Sequence, residues 1–356
     1  MAPEMLEVDG SLKSGSGTML RLSVAFSAIT GRPLHMTNIR ARRSNPGLRP
    51  QHLEAVLTAA KLCRARVSGA RVGSMEITFE PSRIVGGRFR AEIGTAGSIP
   101  MLIMTILPIC IFAPEPVRVL IEKGGTDVRH APTINYMRYV LLPVLAKMGA
   151  RARIRVLRYG YYPRGLGAVE LSVEPMGGPL QPIVLEEFGE LQAVRGVSVC
   201  TFLEKRKVAD RQARAAREVL AREGLRADIR VIYDRSNPAQ RGSSIVLWAE
   251  TDTGVLLGAD AIGELGKPAE VVGREAAEAL LAELRARATA DVHLADMLVP
   301  YVALADGHSA YLARELTDHM DANIWLAERI LGARFHVQKA DGLYRVRCEG
   351  SPPSGP

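Results

Sequence analysis

Apolar and polar residues alternate along the chain with two spacings, one typical of helices and one typical of strands. From His52 to Ala65 apolar residues recur every three or four positions, which predicts an amphipathic helix, and strand-like runs follow at 70–72 and 74–80. A predicted helix at 134–148 is likewise followed by a strand, a turn and a strand. The segment from 316 to 349 gives the same order a third time. This internal repeat predicts a core of repeated α/β units, with sheets and helices in layers.

Three further segments carry patterns of their own. A short strand, Met5–Val8, precedes a Gly/Ser-rich turn and a helix at about 18–30. The most apolar stretch, Ile99–Phe112, is about 14 residues long and contains two prolines, so we expect a buried helix rather than a membrane span. Between 186 and 250 the pattern is strand, charged helix, strand, strand. This βαββ order predicts a small domain inserted into the repeats, after which an Ala-rich helix returns to the main domain.

Composition indicates a folded protein and a polyanionic partner. The 356 residues are 47% hydrophobic and 24% charged, which is ordinary for a chain with room for two domains. An aromatic content of 5% disfavours a base-stacking platform. The net charge of +8 favours nucleic acid or nucleotide phosphates as partners, although solubility or an Arg-rich genome gives the same excess. Four distant cysteines without a CxxC pair, and no signal-peptide pattern, predict a cytoplasmic protein.

Three loops contain residue types suited to phosphate binding. In the first, DGSLKSGSGT at 9–18, glycines allow close approach and the following helix start offers free N–H groups. The loop at 40–51 holds four arginines and is stiffened by two prolines, so it is either a phosphate-binding loop or a solvated basic loop. TAGS at 95–98 is a weaker indication of the same kind.

One histidine stands out among the candidate catalytic residues. His319 lies in LTDHMDANI among Asp318, Asp321 and Asn323, which can orient an imidazole. Such a histidine is a nucleophile, a base, a metal ligand or a structural polar group, and the structural role is the commonest. Asp296 either caps a helix or holds a ribose hydroxyl or a base. The chain has no P-loop and no G-x-G-x-x-G after a strand, so ATP would need another kind of site.

Seven segments, in this order, resemble the RNA 3′-terminal phosphate cyclase family. They are IRARRSNPGLRPQHLEAV, GTAGSIPMLIMTILP, GGTDV, YYPRGLGAVE, GELGKPAEVVGREAAE, HLADMLVPYVALADG and the H-x-x-x-N-I of His319–Ile324. The resemblance spans nearly the whole chain and implies an α/β (α+β) fold. It implies a large domain of three repeated α/β units, similar to enolpyruvyl transferases, with a small inserted α/β domain. We assign 1–184 and 271–345 to the large domain, 185–270 to the insert and 346–356 to a disordered tail.

The resemblance implies a ligase-class enzyme that converts an RNA 3′-terminal phosphate to a 2′,3′-cyclic phosphodiester with ATP. His319 aligns with the family's nucleophile, which forms a covalent histidine-AMP. AMP then passes to the RNA 3′-phosphate, and the neighbouring 2′-OH displaces it. This scheme needs a neutral imidazole, cations around the phosphates, and a 2′-OH that DNA lacks. It further implies ATP, a divalent cation (Mg²⁺ or Mn²⁺), RNA with a 3′-phosphate end and no membrane, and it leaves a homodimer open.

The resemblance also assigns binding residues. The positions that hold the phosphate end or the triphosphate are Arg21, Arg40, Arg43 and Gln51. The positions expected at ATP are Met104, Pro132, His293, Leu294, Ala295, Asp296, Met297 and Asn323.

Four positions depart from the family pattern. Ser14 replaces a glutamate that helps to place the metal, and Thr18, Met104 and Met297 replace glutamines. Because Mg²⁺ prefers hard oxygen ligands, loss of the carboxylate should weaken metal and triphosphate placement, with Lys13 a partial substitute; the metal ligands stay unknown. The alternative is therefore a catalytically weakened or non-enzymatic RNA-binding member of the fold. Enolpyruvyl transfer is disfavoured because the cyclase motifs are the ones present.

Overall fold

A computed structural model describes residues 3–353, in which the order β-α-β-α-β-β occurs three times. The first unit comprises β1 (Leu6–Asp9), α1 (Gly17–Thr30), β2 (Leu34–Thr37), α2 (Pro50–Cys63), β3 (Arg66–Ser68) and β4 (Ile77–Glu80). The second comprises β5 (Gly87–Glu92), α3 (Ile99–Ile111), β6 (Val117–Gly124), a helix in which α4 (Ile134–Tyr136) and α5 (Leu142–Lys147) flank a π-helical turn, β7 (Arg151–Arg158) and β8 (Gly167–Glu174). The third comprises β9 (Val184–Leu185), α8 (Val292–Leu304), β14 (His308–Ala313), α9 (Asp318–Leu331), β15 (Arg334–Ala340) and β16 (Leu343–Glu349).

The four strands of each unit form one sheet with the same topology. In every unit the first strand is parallel to the second, the second is antiparallel to the fourth, and the fourth is antiparallel to the third. The predicted α/β fold with an internal repeat is therefore confirmed. The strand predicted at 70–72 is wrong: these residues form a turn, and β3 lies just before it. Strand β5 was not predicted, because alternating arginines on its exposed side hide its apolar side.

The helices of the three units pack together in the interior. Helix α1 contacts α2, α3 and α9, and α8 contacts both α3 and α9. The predicted buried helix at 99–112 is α3, in which Pro108 lies fully enclosed. Side chains cap four of these helices at the N-terminus, namely Ser16 on α1, Ser98 on α3, Asp291 on α8 and Thr317 on α9. The central helices thus come from all three units, with one unit's helices touching those of the next.

An additional unit interrupts the third repeat between β9 and α8. It comprises β10 (Leu191–Thr201), α6 (Val208–Arg222), β11 (Ala227–Asp234), β12 (Gly242–Thr251), β13 (Leu256–Ile262) and α7 (Ala269–Ala286). Its strands form a separate sheet in the order β11-β10-β12-β13. Helix α7 packs on α6, β12 and β13, with Val272, Ala276 and Leu280 buried. Its packing thus joins α7 to the inserted sheet, and we place the end of the insert at 286 rather than at the predicted 270.

The C-terminal segment is more ordered than we predicted. A disordered tail was expected from 346, but β16 continues to Glu349, because Val346 and Cys348 alternate inward and are buried. Residues 354–356 of the predicted tail lie outside the described residues. All four cysteines are buried free thiols. Within residues 3–353, no helix combines the length and the apolar character that a membrane crossing requires.

Candidate active site

A cleft opens where helices from all three repeated units meet. Six of the residues that line it are Thr18 and Arg21 of α1, Met104 of α3, Asp296 and Met297 of α8, and Asn323 of α9. Five of these were singled out in the sequence as ATP or phosphate contacts, and the sixth, Thr18, as a departure from the family pattern. The fold therefore brings together residues that are up to about 300 positions apart in the chain.

His319 lies in the first turn of α9, at the cleft. Thr317 caps this helix by accepting a hydrogen bond from the Met320 amide at 3.0 Å, and the imidazole of His319 remains accessible to solvent. Its Nδ1 is 3.4 Å from the Thr18 hydroxyl oxygen, so Nε2 is the nitrogen left free. Partial burial of the ring, followed by the positive charges of Arg21 and Arg43, lowers the pKa of His319. The ring is thus neutral at neutral pH, as a nucleophile must be.

Arg21 is a buried cation without an anion. Only 8% of the residue is exposed to solvent, and its guanidinium donates a hydrogen bond to the Thr18 hydroxyl at 2.8 Å. It forms no ion pair with any carboxylate in residues 3–353, and burial lowers its pKa to about 10. A charge enclosed in this way costs several kcal/mol unless a counterion accompanies it. Arg21 therefore points to an anionic ligand in the cleft.

His52 is a buried residue beside this arginine that the sequence did not single out. Its Nδ1 lies 3.4 Å from the Arg49 amide nitrogen, and a Cβ added to Gly17 would lie 2.5 Å from its Nε2. Burial, with Arg21 and the arginine loop nearby, lowers its pKa to about 3, so the ring stays neutral. As the amide donates to Nδ1, the ring proton sits on Nε2 and faces the start of α1. The signal available in the sequence was only a histidine in a helix start behind an arginine-rich loop.

The predicted phosphate-binding loop is held rigidly, but its arginines differ in their freedom. Arg40 donates from Nη1 to the carbonyls of Asn45 at 2.6 Å and Gly47 at 2.7 Å, so part of its guanidinium braces the loop. Arg43 is exposed and close enough to His319 to lower its pKa. The Gln51 side-chain oxygen accepts from the Ser98 amide at 2.7 Å, which joins this loop to the start of α3.

The residues of α8 fall into two groups. Asp291, not Asp296, caps this helix by accepting from the amides of His293 and Leu294, so a capping role for Asp296 is excluded. The side chains of Leu294 and Ala295 are fully enclosed in the core, which leaves only their backbone for ligand contact. His293 is exposed and packs edge-on against Tyr136.

Asp296 and Asn323 connect α8 to the histidine helix. The Thr317 hydroxyl donates to Asp296 at 2.6 Å, and burial raises the pKa of Asp296 to about 6. The Asn323 side-chain amide donates to the Asp296 carbonyl at 2.9 Å, while its buried Oδ1 has no partner among the described residues. A buried amide oxygen without a donor costs about 1–3 kcal/mol, and a ligand N–H or O–H would satisfy it. Pro132 precedes α4 and is not among the residues that line the cleft.

At the loop position expected to place a divalent cation, the chain has the hydroxyl of Ser14 instead of a carboxylate. The Ser14 and Ser16 hydroxyl oxygens are 2.9 Å apart, and Lys13 forms an ion pair with Asp321 at 3.0 Å. Nowhere in residues 3–353 do three or more His, Cys, Asp or Glu side chains cluster as a metal site would require. Because Mg²⁺ takes carboxylate and phosphate oxygens, these residues do not fit a protein-held ion at the predicted position.

Comparison with known proteins gives one family for nearly the whole chain. A family model described as RNA 3′-terminal phosphate cyclase matches residues 12–337. Similar proteins named RNA 3′-terminal phosphate cyclase include that of Pyrobaculum aerophilum, 45% identical over 97% of this chain and 98% of the relative. That of Methanopyrus kandleri is 43% identical over 97% and 99%. That of Nitrosospira multiformis is 44% identical over 97% of each chain.

Proposed function

Because the chain belongs to the RNA 3′-terminal phosphate cyclase family and is thus a ligase-class enzyme, we propose that it cyclises RNA 3′-phosphates with ATP through a covalent AMP on His319. The observation that carries this mechanism is the pairing, in one cleft, of a neutral accessible imidazole with a buried arginine that lacks an anion. The histidine supplies a nucleophile and the arginine supplies charge for a phosphate. The buried Oδ1 of Asn323, which has no hydrogen-bond donor among the described residues, adds a binding site for a nucleotide group.

In the first step Nε2 of His319 attacks the α-phosphorus of ATP. The N–P bond forms, the bond from phosphorus to the bridging oxygen breaks, and pyrophosphate leaves with the electron pair. We assign the ring proton to Nδ1, from which it can be donated to the Thr18 hydroxyl 3.4 Å away, so that Nε2 keeps the lone pair that attacks. Arg21 neutralises charge that develops on the phosphoryl oxygens, and its burial strengthens this effect.

In the second step an oxygen of the RNA 3′-phosphate attacks the phosphorus of the histidine-AMP, and the N–P bond breaks to restore the imidazole. In the third step the 2′-OH attacks the 3′-phosphorus, loses its proton and displaces AMP. We assign to the RNA end Arg43, which is exposed near His319, and the side-chain NH2 of the half-buried Gln51, which lies at the start of α3.

For the nucleotide base we assign the methionines of the cleft. Met104 and Met297 stand where the resemblance gives glutamines, and both line the cleft opposite α1. A thioether packs against aromatic rings without directional hydrogen bonds, so these residues favour adenine by contact rather than by edge recognition. ATP is the nucleotide that the family resemblance implies, and these methionines should give weaker discrimination between adenine and other purines.

One observation favours the alternative of a weakened enzyme. Lys13 is tied to Asp321, two residues after His319, so neither its charge nor this carboxylate is free for a metal–triphosphate complex. Any divalent ion would then be held mainly by the triphosphate. This would lower the rate of the first step without removing the histidine chemistry.

The test is conversion of a labelled oligoribonucleotide with a 3′-phosphate end. We expect ATP and a divalent cation to make its end resistant to phosphatase. The matched substrate, identical except for a 2′-deoxy terminal sugar, should stay sensitive, because it lacks the attacking hydroxyl. If the protein binds the RNA and neither end becomes resistant, the non-enzymatic alternative is correct. If both become resistant, attack by the 2′-OH is excluded.

The rate of AMP transfer to the protein should depend on pH through His319. Since its pKa is lowered from the usual 6.5, the rate should be level at and above neutral pH and fall only in more acidic solution, with a midpoint below 6.5. The rate falls as the pH falls, because protonation removes the lone pair of the attacking imidazole nitrogen. Arg43→Gln should move the midpoint towards 6.5, because it removes a nearby positive charge. Asp296→Asn is the control that identifies the titrating group, since the pKa of the Asp296 carboxyl, about 6, falls in the same range. A midpoint above 6.5 in the wild type would contradict the assignment.

A further inference from the structure

The outer face of the second sheet carries a row of arginines far from the cleft. Strand register places Arg88 beside Arg118, Arg118 beside Ser172, and Ser172 beside Arg153. These four residues, called the arginine row below, cross β5, β6, β8 and β7 on the solvent side. Neighbouring strands lie about 4.8 Å apart, so three guanidinium groups are spread over roughly 14 Å.

The arginines of this row differ from their neighbours towards the Gly124 end of the sheet in having no carboxylate partner among the described residues. One register step away, Arg155 pairs with Glu170 at 3.4 Å and Arg90 pairs with Glu122 at 2.7 Å. Arg88, Arg118 and Arg153 form no ion pair anywhere in residues 3–353, and all three are exposed. The face therefore carries ion pairs on one side of the row. On the other side Arg151 also forms no ion pair within residues 3–353 and donates to the Pro175 carbonyl at 3.0 Å.

The other two repeats provide an internal comparison, because the same register positions can be read in each sheet. In the first sheet the equivalent row is Glu7, His35, Thr78 and Ser68. In the third it is Val184, Ala310, Arg347 and His336, and Arg347 pairs with Glu186 at 3.0 Å. Neither row carries an unpaired arginine. The repeated fold thus does not require this charge, and a bound polyanion would account for it.

Strand β6 connects the row to the end of the sheet that borders the predicted phosphate-binding loop. Strand β6 leads from Arg118 towards Gly125, which bridges to Ser98, and Ser98 is hydrogen-bonded to Gln51 of the phosphate loop. Six residues of strand at about 3.3 Å each put the row roughly 20 Å from this end of the sheet. At about 3.4 Å per stacked nucleotide, that is a path of roughly six nucleotides.

We infer that the arginine row binds the phosphate backbone of substrate RNA upstream of its 3′ end. This inference rests on the proposed function, because it takes the RNA end to lie at His319. Arginine forks suit phosphate oxygens, and their spacing across the strands fits several successive phosphates. The contact would be independent of sequence, since no base-reading aromatic or amide side chain lies in the row. It gives the enzyme a preference for long RNA over short ends.

The experiment compares two triple variants on two substrates. The row variant is Arg88→Gln, Arg118→Gln and Arg153→Gln. The control, which removes the same charge from exposed sites of the insert, is Arg206→Gln, Arg222→Gln and Arg226→Gln. The substrates are oligouridylates with a 3′-phosphate, one of 20 nucleotides and one of three. Dissociation constants are measured at several salt concentrations, together with AMP transfer from ATP to the protein.

For the 20-mer we expect the row variant to bind on the order of tenfold more weakly than wild type. The slope of log K against log salt should fall by about 2, given about 0.7 per lost phosphate contact. Binding of the trimer, AMP transfer and the control variant should all be unchanged. Equal losses in row and control variants, or equal losses on both substrates, would overturn the inference. If the wild type transfers no AMP but the row variant still loses the 20-mer, the proposed function fails and the RNA surface stands. If AMP transfer is normal and RNA length has no effect, the surface alone fails.

Discussion

His319→Ala is expected to abolish the transfer of AMP from ATP to the protein. Incubation of the wild type with α-labelled ATP and a divalent cation should give a covalent label that acid removes, as a phosphoramidate requires. The alanine variant should give none, because the start of α9 offers no other nitrogen nucleophile. The nearby Thr317 hydroxyl is no substitute, since it caps the helix and donates to Asp296. The loss should reach the detection limit, and we expect it to exceed about 10³-fold. Phosphatase-resistant RNA ends should disappear with the label.

The control is His336→Ala, a change to an exposed histidine on β15 of the same repeat. It should label like the wild type. Both variants should unfold within about 0.5 kcal/mol of the wild type, because an accessible histidine at a helix start contributes little to the core. A label that survives His319→Ala with its acid lability intact would place the nucleophile elsewhere. His293 would then be the next candidate, since it is exposed on the neighbouring helix.

Local patterns predicted most of the elements and the repeat, but not how the elements meet. The helix signal at His52–Ala65 is strong because its apolar spacing depends only on neighbouring residues. The cleft depends on contacts such as Arg21 to Thr18 beside His319, where one partner lies in the first repeat and the other in the third. No spacing in the sequence encodes that distance. The resemblance to a family, rather than periodicity, connected these residues.

Individual residues were ambiguous for the same physical reason. The sequence left two roles open for Asp296, a helix cap or a ligand contact; Asp291 takes the cap, and Asp296 accepts from Thr317 of another helix. The helix at 269–286 was assigned to the main domain because it follows the insert in sequence, whereas we propose that it belongs to the insert. The apolar side of this helix indicates that it packs on a sheet, but not whether that sheet belongs to the insert or to the main domain. Lys13 was expected near phosphate, and its actual partner, Asp321, lies 308 positions away.

Arg21→Met should have opposite effects on stability and on activity. In the ligand-free protein the variant should be more stable by about 1–3 kcal/mol, because it replaces an enclosed charge that lacks a carboxylate with an apolar side chain of similar length. AMP transfer should fall on the order of 10²–10³-fold, as is usual when a preorganised charge is removed from a reacting phosphate. The measurements are denaturant unfolding without ligand and the initial rate of labelling.

Pyrophosphate tests the same cation by binding. At about 100 times its dissociation constant it should stabilise the wild type by about 2.7 kcal/mol, and Arg21→Met should lose most of this gain. Arg21→Lys keeps a charge in the cleft, so it should not become more stable and should retain part of the activity.

Arg40→Met is the matched control, because the Arg40 guanidinium is bonded to two backbone carbonyls of its own loop. It donates to the carbonyls of Asn45 and Gly47, so its loss should destabilise the ligand-free protein by about 2 kcal/mol instead of stabilising it. Two arginines from one predicted phosphate site should thus move stability in opposite directions. If Arg21→Met is also destabilising and pyrophosphate stabilises it as it does the wild type, Arg21 is a structural residue and the anion site lies elsewhere. The direction in which Arg21→Met changes the free energy of unfolding therefore shows whether Arg21 serves ligand binding or the stability of the fold.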